Sequence, residues 1–176
     1  MQVRDAHISV FGEERWNNFF QRFNKHYTTF PNDPLSSTRI PIDIYLSFID
    51  ELTQEFYNGN QRIYWGFGEQ GAQTALSEDG HLNIFVRVKR SPENFIKYVL
   101  ARIWTNYFDM GREEFKLEGN ILHARILDLP KYHPYFELTT MGYIKKALEL
   151  IGLTVEKTTK IKSSAKEIYY QFILNL

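Results

Sequence analysis

The residues with the most suggestive chemistry are a glycine run, Gly66-Phe67-Gly68-Glu69-Gln70-Gly71, which has the GxGxxG spacing of dinucleotide-binding turns. That chemistry needs a strand before the glycines, a helix N-terminus after them for the pyrophosphate, and an acidic residue about 20 residues further on. Residues 60–65 offer at most a short strand after a helix stop, and Ile84 to Arg90 contains no carboxylate. We therefore predict that the glycines serve close helix packing or a bend, and not a nucleotide.

Histidines are the next candidates, but they occur singly, with no HxH, HxxxH or HExxH pair that would place two imidazoles on one metal. They are His7, His26, His81, His123 and His133. Only His133 has a notable context, because it lies in Pro130-Lys131-Tyr132-His133-Pro134, just before a predicted helix. As a haem ligand it would need an apolar pocket around it. A lone histidine is more often a surface or structural residue, which is the interpretation we favour.

Catalytic residue sets receive little support. Ser36-Ser37 and Ser163-Ser164 lie in polar segments with no GxSxG elbow, so no activated serine is indicated. The pairs Glu13-Glu14 and Glu113-Glu114 are interpreted as solvated faces, since neighbouring carboxylates point apart on a strand. The chain has no cysteine, which removes disulfides, thiolate metal sites and cysteine nucleophiles. The sequence leaves enzymatic activity open and favours a non-enzymatic role.

Hydrophobic periodicity predicts that the first half, about residues 1–110, is helical. The predicted helices run from about residue 12 to 25, 41 to 57, 61 to 76 and 91 to 109. The last has the strongest signals, with Ser91 as N-cap and Pro92 in the first turn. Residues 30–41 form the best loop, and Asn58-Gly59-Asn60 stops the second helix. For Leu82 to Val88 the alternation favours a strand and the helical surroundings favour a helix, and both alternatives stay open.

The second half, about residues 111–176, is predicted to have ββαββ order. The first hairpin pairs Glu113–Leu117 with Ile121–Asp128, and the second pairs Leu153–Ile161 with Ile168–Leu176. Between them, a helix from about Phe136 to Ile151 has an apolar stripe and is ended by Gly152. An antiparallel sheet offers no βαβ switch point for a nucleotide. The predicted fold is α+β, a helical N-terminal half packed on a C-terminal antiparallel sheet.

Composition sets the remaining limits. A chain of 176 residues is long enough for one domain with a substantial core, so we predict a single domain over residues 1–176. Acidic and basic residues balance and the isoelectric point is near 7.0, which argues against nucleic-acid binding. The sequence has neither a signal peptide pattern nor an apolar run long enough for membrane insertion. These features favour a cytoplasmic protein.

Several short motifs together resemble a known family. They are Ser91-Pro92-Glu93, the helix with Trp104 and Tyr107-Phe108-Asp109, Met141-Gly142-Tyr143, and Ala147 to Gly152. The chain resembles an uncharacterised family first catalogued from myxobacteria, itself similar to the 4-vinyl reductase domain, the haem-based nitric oxide and oxygen sensing domain, and Bet3-like trafficking subunits. This resemblance implies small-molecule sensing and frequent homodimerisation. The chain departs from the metal-binding relatives, since it has no cysteine, and from the haem sensors, since it lacks a Tyr-x-Ser-x-Arg run.

Two hypotheses about function follow. The first is a ligand-binding sensory or signalling module whose small apolar ligand lies between the helices and the sheet. The candidate pocket residues are Tyr45, Phe48, Trp65, Trp104, Tyr107, Phe108 and Tyr143, which would otherwise be ordinary core. The second is a protein-interaction or scaffold domain that acts as a homodimer without a ligand. A reductase-type enzyme rests on distant analogy alone.

Overall fold

The computed structural model describes residues 2–31, 38–77, 80, 82–83 and 91–175. It has an α+β fold with a helical N-terminal half and a C-terminal antiparallel sheet, as predicted. In chain order the elements are α1 (Gln2–Phe11), α2 (Glu13–His26), α3 (Ile42–Tyr57), α4 (Ile63–Leu76), α5 (Pro92–Phe95, continued by Ile96–Leu100 and Ala101–Tyr107), β1 (Arg112–Glu118), β2 (Ile121–Leu127), α6 (Pro134–Leu150), β3 (Thr154–Ser163) and β4 (Glu167–Asn175). The chain divides into two compact units, Met1–Ile63 and Tyr64–Leu176.

The first unit has an aromatic core built by α2 and α3. Trp16, Phe19 and Phe23 follow one stripe of α2 and are almost completely buried. Phe19 contacts both Phe48 and Phe56 of α3, with ring centroids 5.7 and 5.3 Å apart. This aromatic stripe is therefore the packing face of α2, which lies in the helix predicted from about residue 12 to 25, and burial of such rings supplies much of the free energy of folding. Helix α1 has no counterpart among the predicted elements.

The second unit contains a four-stranded sheet in the order β1-β2-β4-β3, with every neighbouring pair antiparallel. The two predicted hairpins are correct, and they join because β2 pairs with β4. One face, here called the inner face, is apolar and buried at the centre of the sheet. Its buried side chains on β2 and β4 are Leu122, Ala124, Ile126, Ile168, Tyr170, Phe172 and Leu174. Helix α5 contacts β1, and α6 contacts the β3–β4 hairpin.

Helix α5 begins as predicted and is irregular in its middle. The Ser91 hydroxyl caps it by accepting a hydrogen bond from the Asn94 N–H at 3.3 Å, and Pro92 follows the cap. Ile96–Leu100 is a π-helical turn, which the apolar periodicity did not indicate. Such turns are frequent at functional sites. Here the turn precedes the segment that carries Trp104.

Helices α3 and α6 end where the sequence predicts. Asn58 adopts a left-handed conformation after α3, and Gly152 does so after α6, with φ of 53° and 94°. Both positions match the predicted stops. The undecided stretch 82–88 lies outside the described residues except for its first two positions. No helix in the described ranges has the length and apolar character needed to cross a membrane.

Candidate functional site

The glycine run lies inside α4 and forms no phosphate-binding turn. A Cβ on Gly68 would lie 1.9 Å from the carbonyl oxygen of Thr139 and 2.7 Å from the amide nitrogen of Tyr143. A Cβ on Gly142 would lie 2.3 Å from the carbonyl oxygen of Trp65. Two helix backbones therefore cross almost in contact, with Gly68 and Gly142 at the crossing. Close helix packing, predicted for the glycine run, is confirmed for Gly68, whereas a Cβ on Gly66 would meet nothing within 4 Å.

The carboxylate of Glu113 points to the inner face at the start of β1. Its Oε2 accepts a hydrogen bond from the backbone N–H of Trp104 at 3.2 Å. Its Oε1 is buried and has no hydrogen-bond partner among the described residues. Burial raises the pKa of Glu113 to about 8, against the opposing effect of the Trp104 N–H. The prediction of a solvated Glu113-Glu114 pair is wrong for Glu113, because strand alternation exposes only Glu114.

Tyr143 on α6 supplies a second buried polar atom. The side chain is 7% exposed, and its hydroxyl finds no hydrogen-bond partner in the described part of the chain. Its ring lies against Gly71 of α4, where a Cβ would be 3.5 Å from Cδ2. Burial raises the pKa of Tyr143, and the nearby Tyr107 and Glu113 raise it further. We call Glu113, Tyr143, Tyr107 and Trp104 the Glu113 site.

Aromatic rings border the Glu113 site on the α5 side. Trp104 is 1% exposed and lies 4.5 Å from Phe108 and 6.0 Å from Phe136, measured between ring centroids. Its indole N–H donates to the carbonyl oxygen of Met110 at 2.6 Å. This bond fixes the ring across the end of α5. The rings lower the local polarity, which is why the Glu113 carboxyl is hard to ionise.

The predicted pocket residues divide between the two units. Tyr45 and Phe48 belong to the first unit, and Phe48 is part of its aromatic core. In the second unit Trp65 is half-buried and donates to Glu69 at 3.0 Å, while Tyr107 is 59% exposed at the end of α5. Trp104 and Phe108 are in contact, and Tyr107 influences Tyr143 electrostatically. A ligand pocket formed by all seven residues stays a prediction.

A second buried carboxylate, Glu137, lies in the first turn of α6 and is surrounded by donors. Its Oε1 accepts from the Tyr170 hydroxyl at 2.5 Å and from the Lys160 ammonium at 2.8 Å. Its Oε2 accepts from the Tyr132 hydroxyl at 2.6 Å and from Ser163. We call these five residues the Glu137 network. It ties the start of α6 to the β3–β4 hairpin.

The pKa values of the two carboxylates, Glu113 and Glu137, are shifted in opposite directions. Burial by itself would raise the pKa of Glu137, but hydrogen bonds from Lys160, Ser163, Tyr132 and Tyr170 hold it below its usual value. Glu137 is therefore a satisfied anion, whereas Glu113 is a half-satisfied group that favours its neutral form. Sequence reasoning missed both. The only local signal for Glu137 was an acidic residue after Pro134 in the first turn of a helix.

Comparison with known proteins gives a fold. No protein-family model matches the chain, and no curated protein matches it in sequence. Among solved structures, an H-NOX protein from S. oneidensis in the Fe(II)NO ligation state is similar, with a TM-score of 0.70 and 13% identity over 99% of this chain and 96% of the other. An Fe(II) unliganded H-NOX protein from K. algicida gives a TM-score of 0.64 and 12% identity over 98% of this chain and 92% of the other.

A third similar structure is the IWP-051-bound H-NOX from Shewanella woodyi in the Fe(II)CO ligation state. Its TM-score is 0.65 and its identity 11%, over 97% of this chain and 90% of the other. The chain therefore has the H-NOX, or haem-NO-binding, fold. Identities this low establish the fold alone. The myxobacterial and 4-vinyl reductase parts of the resemblance stay predictions.

These neighbours contain Fe(II), and a haem iron needs a side-chain atom with a lone pair as its ligand. His133 caps α6, and its Nδ1 accepts a hydrogen bond from the Tyr135 N–H at 3.1 Å. In a neutral ring whose Nδ1 is an acceptor, Nε2 carries the proton and has no lone pair for iron. His133 as placed does not fit a haem.

Proposed function

We propose that this protein is a non-enzymatic small-molecule-binding sensory module, and that it holds its ligand at the Glu113 site. One observation carries the proposal: Glu113 Oε1 and Tyr143 Oη are both buried and both lack a hydrogen-bond partner among the described residues. Leaving a buried polar group unsatisfied costs about 1–3 kcal/mol. Glu113 lies close enough to Tyr143 to raise the pKa of its hydroxyl. A molecule bound beside both groups would gain affinity by satisfying them.

The fold supports the same conclusion. The similar H-NOX structure from S. oneidensis is in the Fe(II)NO ligation state, and the one from Shewanella woodyi is in the Fe(II)CO ligation state with IWP-051 bound, so this fold accommodates small molecules. In this chain the ligand is recognised by a carboxyl and a phenol beside aromatic rings, with no role for iron. A small molecule with a polar group for Glu113 and Tyr143 and an apolar body for Trp104 and Phe108 suits this arrangement.

The Glu137 network supports a non-enzymatic role at the other end of α6. Four donors occupy the two carboxylate oxygens of Glu137. A carboxylate held in this way, with a lowered pKa, is a poor general base. We assign the network to holding α6 against the β3–β4 hairpin. Homodimerisation and a cytoplasmic location complete the proposal, and a ligand-free scaffold domain is the alternative.

Native mass spectrometry of the protein purified from its own source tests the proposal. We expect the wild-type chain to retain a small molecule, and we expect Glu113→Gln and Tyr143→Phe to lose it. Glu114→Gln is the matched control, because it changes the adjacent carboxylate on the opposite, exposed face of β1. Glu114→Gln should retain the molecule.

Two results would contradict the proposal. One is wild-type protein that carries no adduct, with a crystal structure that shows only a water between Glu113 and Tyr143, since an ordered water also satisfies buried polar groups. The other is an adduct that survives both Glu113→Gln and Tyr143→Phe. That result would place the ligand elsewhere in the chain.

A further inference from the structure

The two edges of the sheet differ in how they are protected. Strand β3 has irregular pairing between Val155 and Lys157 and again between Lys160 and Lys162. Bulges and lysines of this kind prevent an edge from pairing with another chain. Strand β1 pairs with β2 in unbroken register over seven residues. In the described part of the chain its other side has no partner strand, so its outward N–H and C=O groups form a regular edge.

The outer side of β1 carries alternating charges. Arg112, Glu114, Lys116 and Glu118 are on the face opposite the core, and their side chains are 47–74% exposed. Phe115 and Leu117 alternate with them on the inner face and are only partly buried. Phe115 is therefore a partly buried apolar side chain in the middle of an edge strand, and a second copy of the strand would cover it further.

Only the register centred on Phe115 opposes all four of these charges to charges of opposite sign. When two copies of β1 run antiparallel and cross at Phe115, Arg112 faces Glu118 of the second copy and Glu114 faces its Lys116. A crossing at Glu114 would oppose Arg112 to Lys116 and Glu114 to itself. A crossing at Lys116 would oppose Glu114 to Glu118 and Lys116 to itself. Like charges directly opposite each other destabilise a strand pair.

We propose that β1 is a homodimerisation edge, which pairs antiparallel with β1 of a second copy in the Phe115-centred register and joins two sheets into one. The main-chain hydrogen bonds and the contact between the two Phe115 rings supply the affinity. The charges are exposed, so they contribute little affinity and mainly select the register. A single seven-residue strand pair is a small interface, which predicts a weak, concentration-dependent dimer.

This proposal rests on the homodimerisation in the proposed function and assigns it to β1, but it does not depend on the ligand at the Glu113 site. Sedimentation velocity over a protein concentration series tests it, starting from a monomer of 20.9 kDa. Each of Glu114→Lys and Lys116→Glu creates two like-charge contacts in a symmetric dimer. We expect each single variant to raise the dimer Kd about tenfold or more.

An equal mixture of the two single variants is the decisive sample. Its heterodimer opposes two lysines in one copy to two glutamates in the other, so it should form at least as readily as the wild-type dimer. The double variant Glu114→Lys/Lys116→Glu should also restore the homodimer. Lys157→Glu on β3 is the control and should leave the dimer unchanged. Circular dichroism of each variant confirms that it is folded.

Three outcomes would overturn the proposal. The first is wild-type protein that stays monomeric over the whole concentration range. The second is a dimer that both single variants form as tightly as the wild type does. The third is an equal mixture of Glu114→Lys and Lys116→Glu that forms no heterodimer. A dimer that Lys157→Glu abolishes would have the same meaning, because either result would place the contact away from β1.

Discussion

Gly68 of α4 and Gly142 of α6 lie at one helix crossing, where each glycine admits the backbone of the other helix. A Cβ on Gly68 would come within 1.9 Å of the Thr139 carbonyl oxygen, and a Cβ on Gly142 within 2.3 Å of the Trp65 carbonyl oxygen. Neither contact involves a flexible side chain that would move aside. The crossing also fixes Tyr143, the residue after Gly142, which supplies a hydroxyl to the Glu113 site.

Gly68→Ala and Gly142→Ala should each destabilise the protein, because the added methyl group forces the two backbones apart. Overpacking of this kind costs about 1–3 kcal/mol and sometimes more. Gly66 is the matched control, since it belongs to the same glycine run and a Cβ there meets nothing within 4 Å. Gly66→Ala should leave stability unchanged or raise it by up to about 1 kcal/mol, as expected for alanine in a helix. Urea unfolding monitored by circular dichroism measures all three.

If Gly66→Ala and Gly68→Ala lowered the free energy of unfolding equally, Gly68 would not lie at a close helix crossing. The same variants also test the nucleotide interpretation of the run. A nucleotide bound by the wild type, with affinity lost in Gly68→Val, would mean that the glycines do contact phosphate. We expect no such binding, because the run is helical throughout.

Glu113 should make stability depend on pH. Burial raises its pKa from 4.5 to about 8, so between these values the folded chain holds a proton that the unfolded chain has lost. The folded state then binds more protons, and stability falls as pH rises over that range. Glu113→Gln removes this titration, and at pH 8 it should be more stable than the wild type by on the order of 2–4 kcal/mol. Near pH 4.5 the two proteins should be similar.

Urea unfolding of wild type, Glu113→Gln and Glu114→Gln at pH 5, 6.5 and 8 provides the measurement. The difference between wild type and Glu113→Gln should widen with pH, whereas Glu114→Gln should follow the wild type at every pH. If the free energies of unfolding of wild type and Glu113→Gln changed in parallel with pH, the Glu113 carboxyl would be solvated.

Glu137 should show the opposite pH dependence. Its pKa is held below 4.5, so its stabilisation is complete above that value and is lost as pH falls through the lowered pKa. Near neutral pH, Glu137→Gln should cost on the order of 3 kcal/mol, because an amide NH2 replaces one of the two acceptor oxygens and the charge that pairs with Lys160 is lost. Lys160→Met should cost less, about 1 kcal/mol, since Lys160 is half-exposed and three hydroxyls still bond Glu137.

Lys162→Met is the control for Lys160→Met, because Lys162 is a similar half-exposed lysine of β3 that pairs with Glu167. It should cost less than Lys160→Met in the same urea titration. If Glu137→Gln lowered the free energy of unfolding no more than Lys162→Met does, the Glu137 network would not hold α6 against the β3–β4 hairpin.

His133 should act as a helix cap and not as an iron ligand. His133→Ala removes the acceptor for the Tyr135 N–H and should cost about 0.5–2 kcal/mol of stability. Haem added to the purified protein should give no Soret band characteristic of a histidine-ligated iron. Such a band, present in the wild type and absent in His133→Ala, would refute this assignment and require the α6 cap to open.

Much of the fold was predictable from local patterns. Helix periodicity located α2, α3 and α6, and the strand patterns located both hairpins. Ser91, Asn58 and Gly152 marked the cap and the stops, because their preferences depend on the neighbouring backbone alone. Helix α1 was missed because its apolar residues form no clear stripe. The join of the hairpins through β2 and β4 was not predicted, since strand pairing is a non-local choice.

Less of the Glu113 site and the Glu137 network could be predicted from the sequence. The sequence predicts that both carboxylates of Glu113-Glu114 are solvated. Only the pairing of β1 with β2 shows which of them points to the inner face. The phenol of Tyr143, whose pKa Glu113 raises, lies on α6, some twenty residues later in the chain than β1. The sequence by itself determined the elements, their order and the α+β class, because hydrophobic period and capping act within a few residues. The tertiary structure alone decided the Gly68–Gly142 crossing, the saturation of Glu137 and the desolvation of Glu113, because burial and charge pairing are set by residues distant in sequence that pack together.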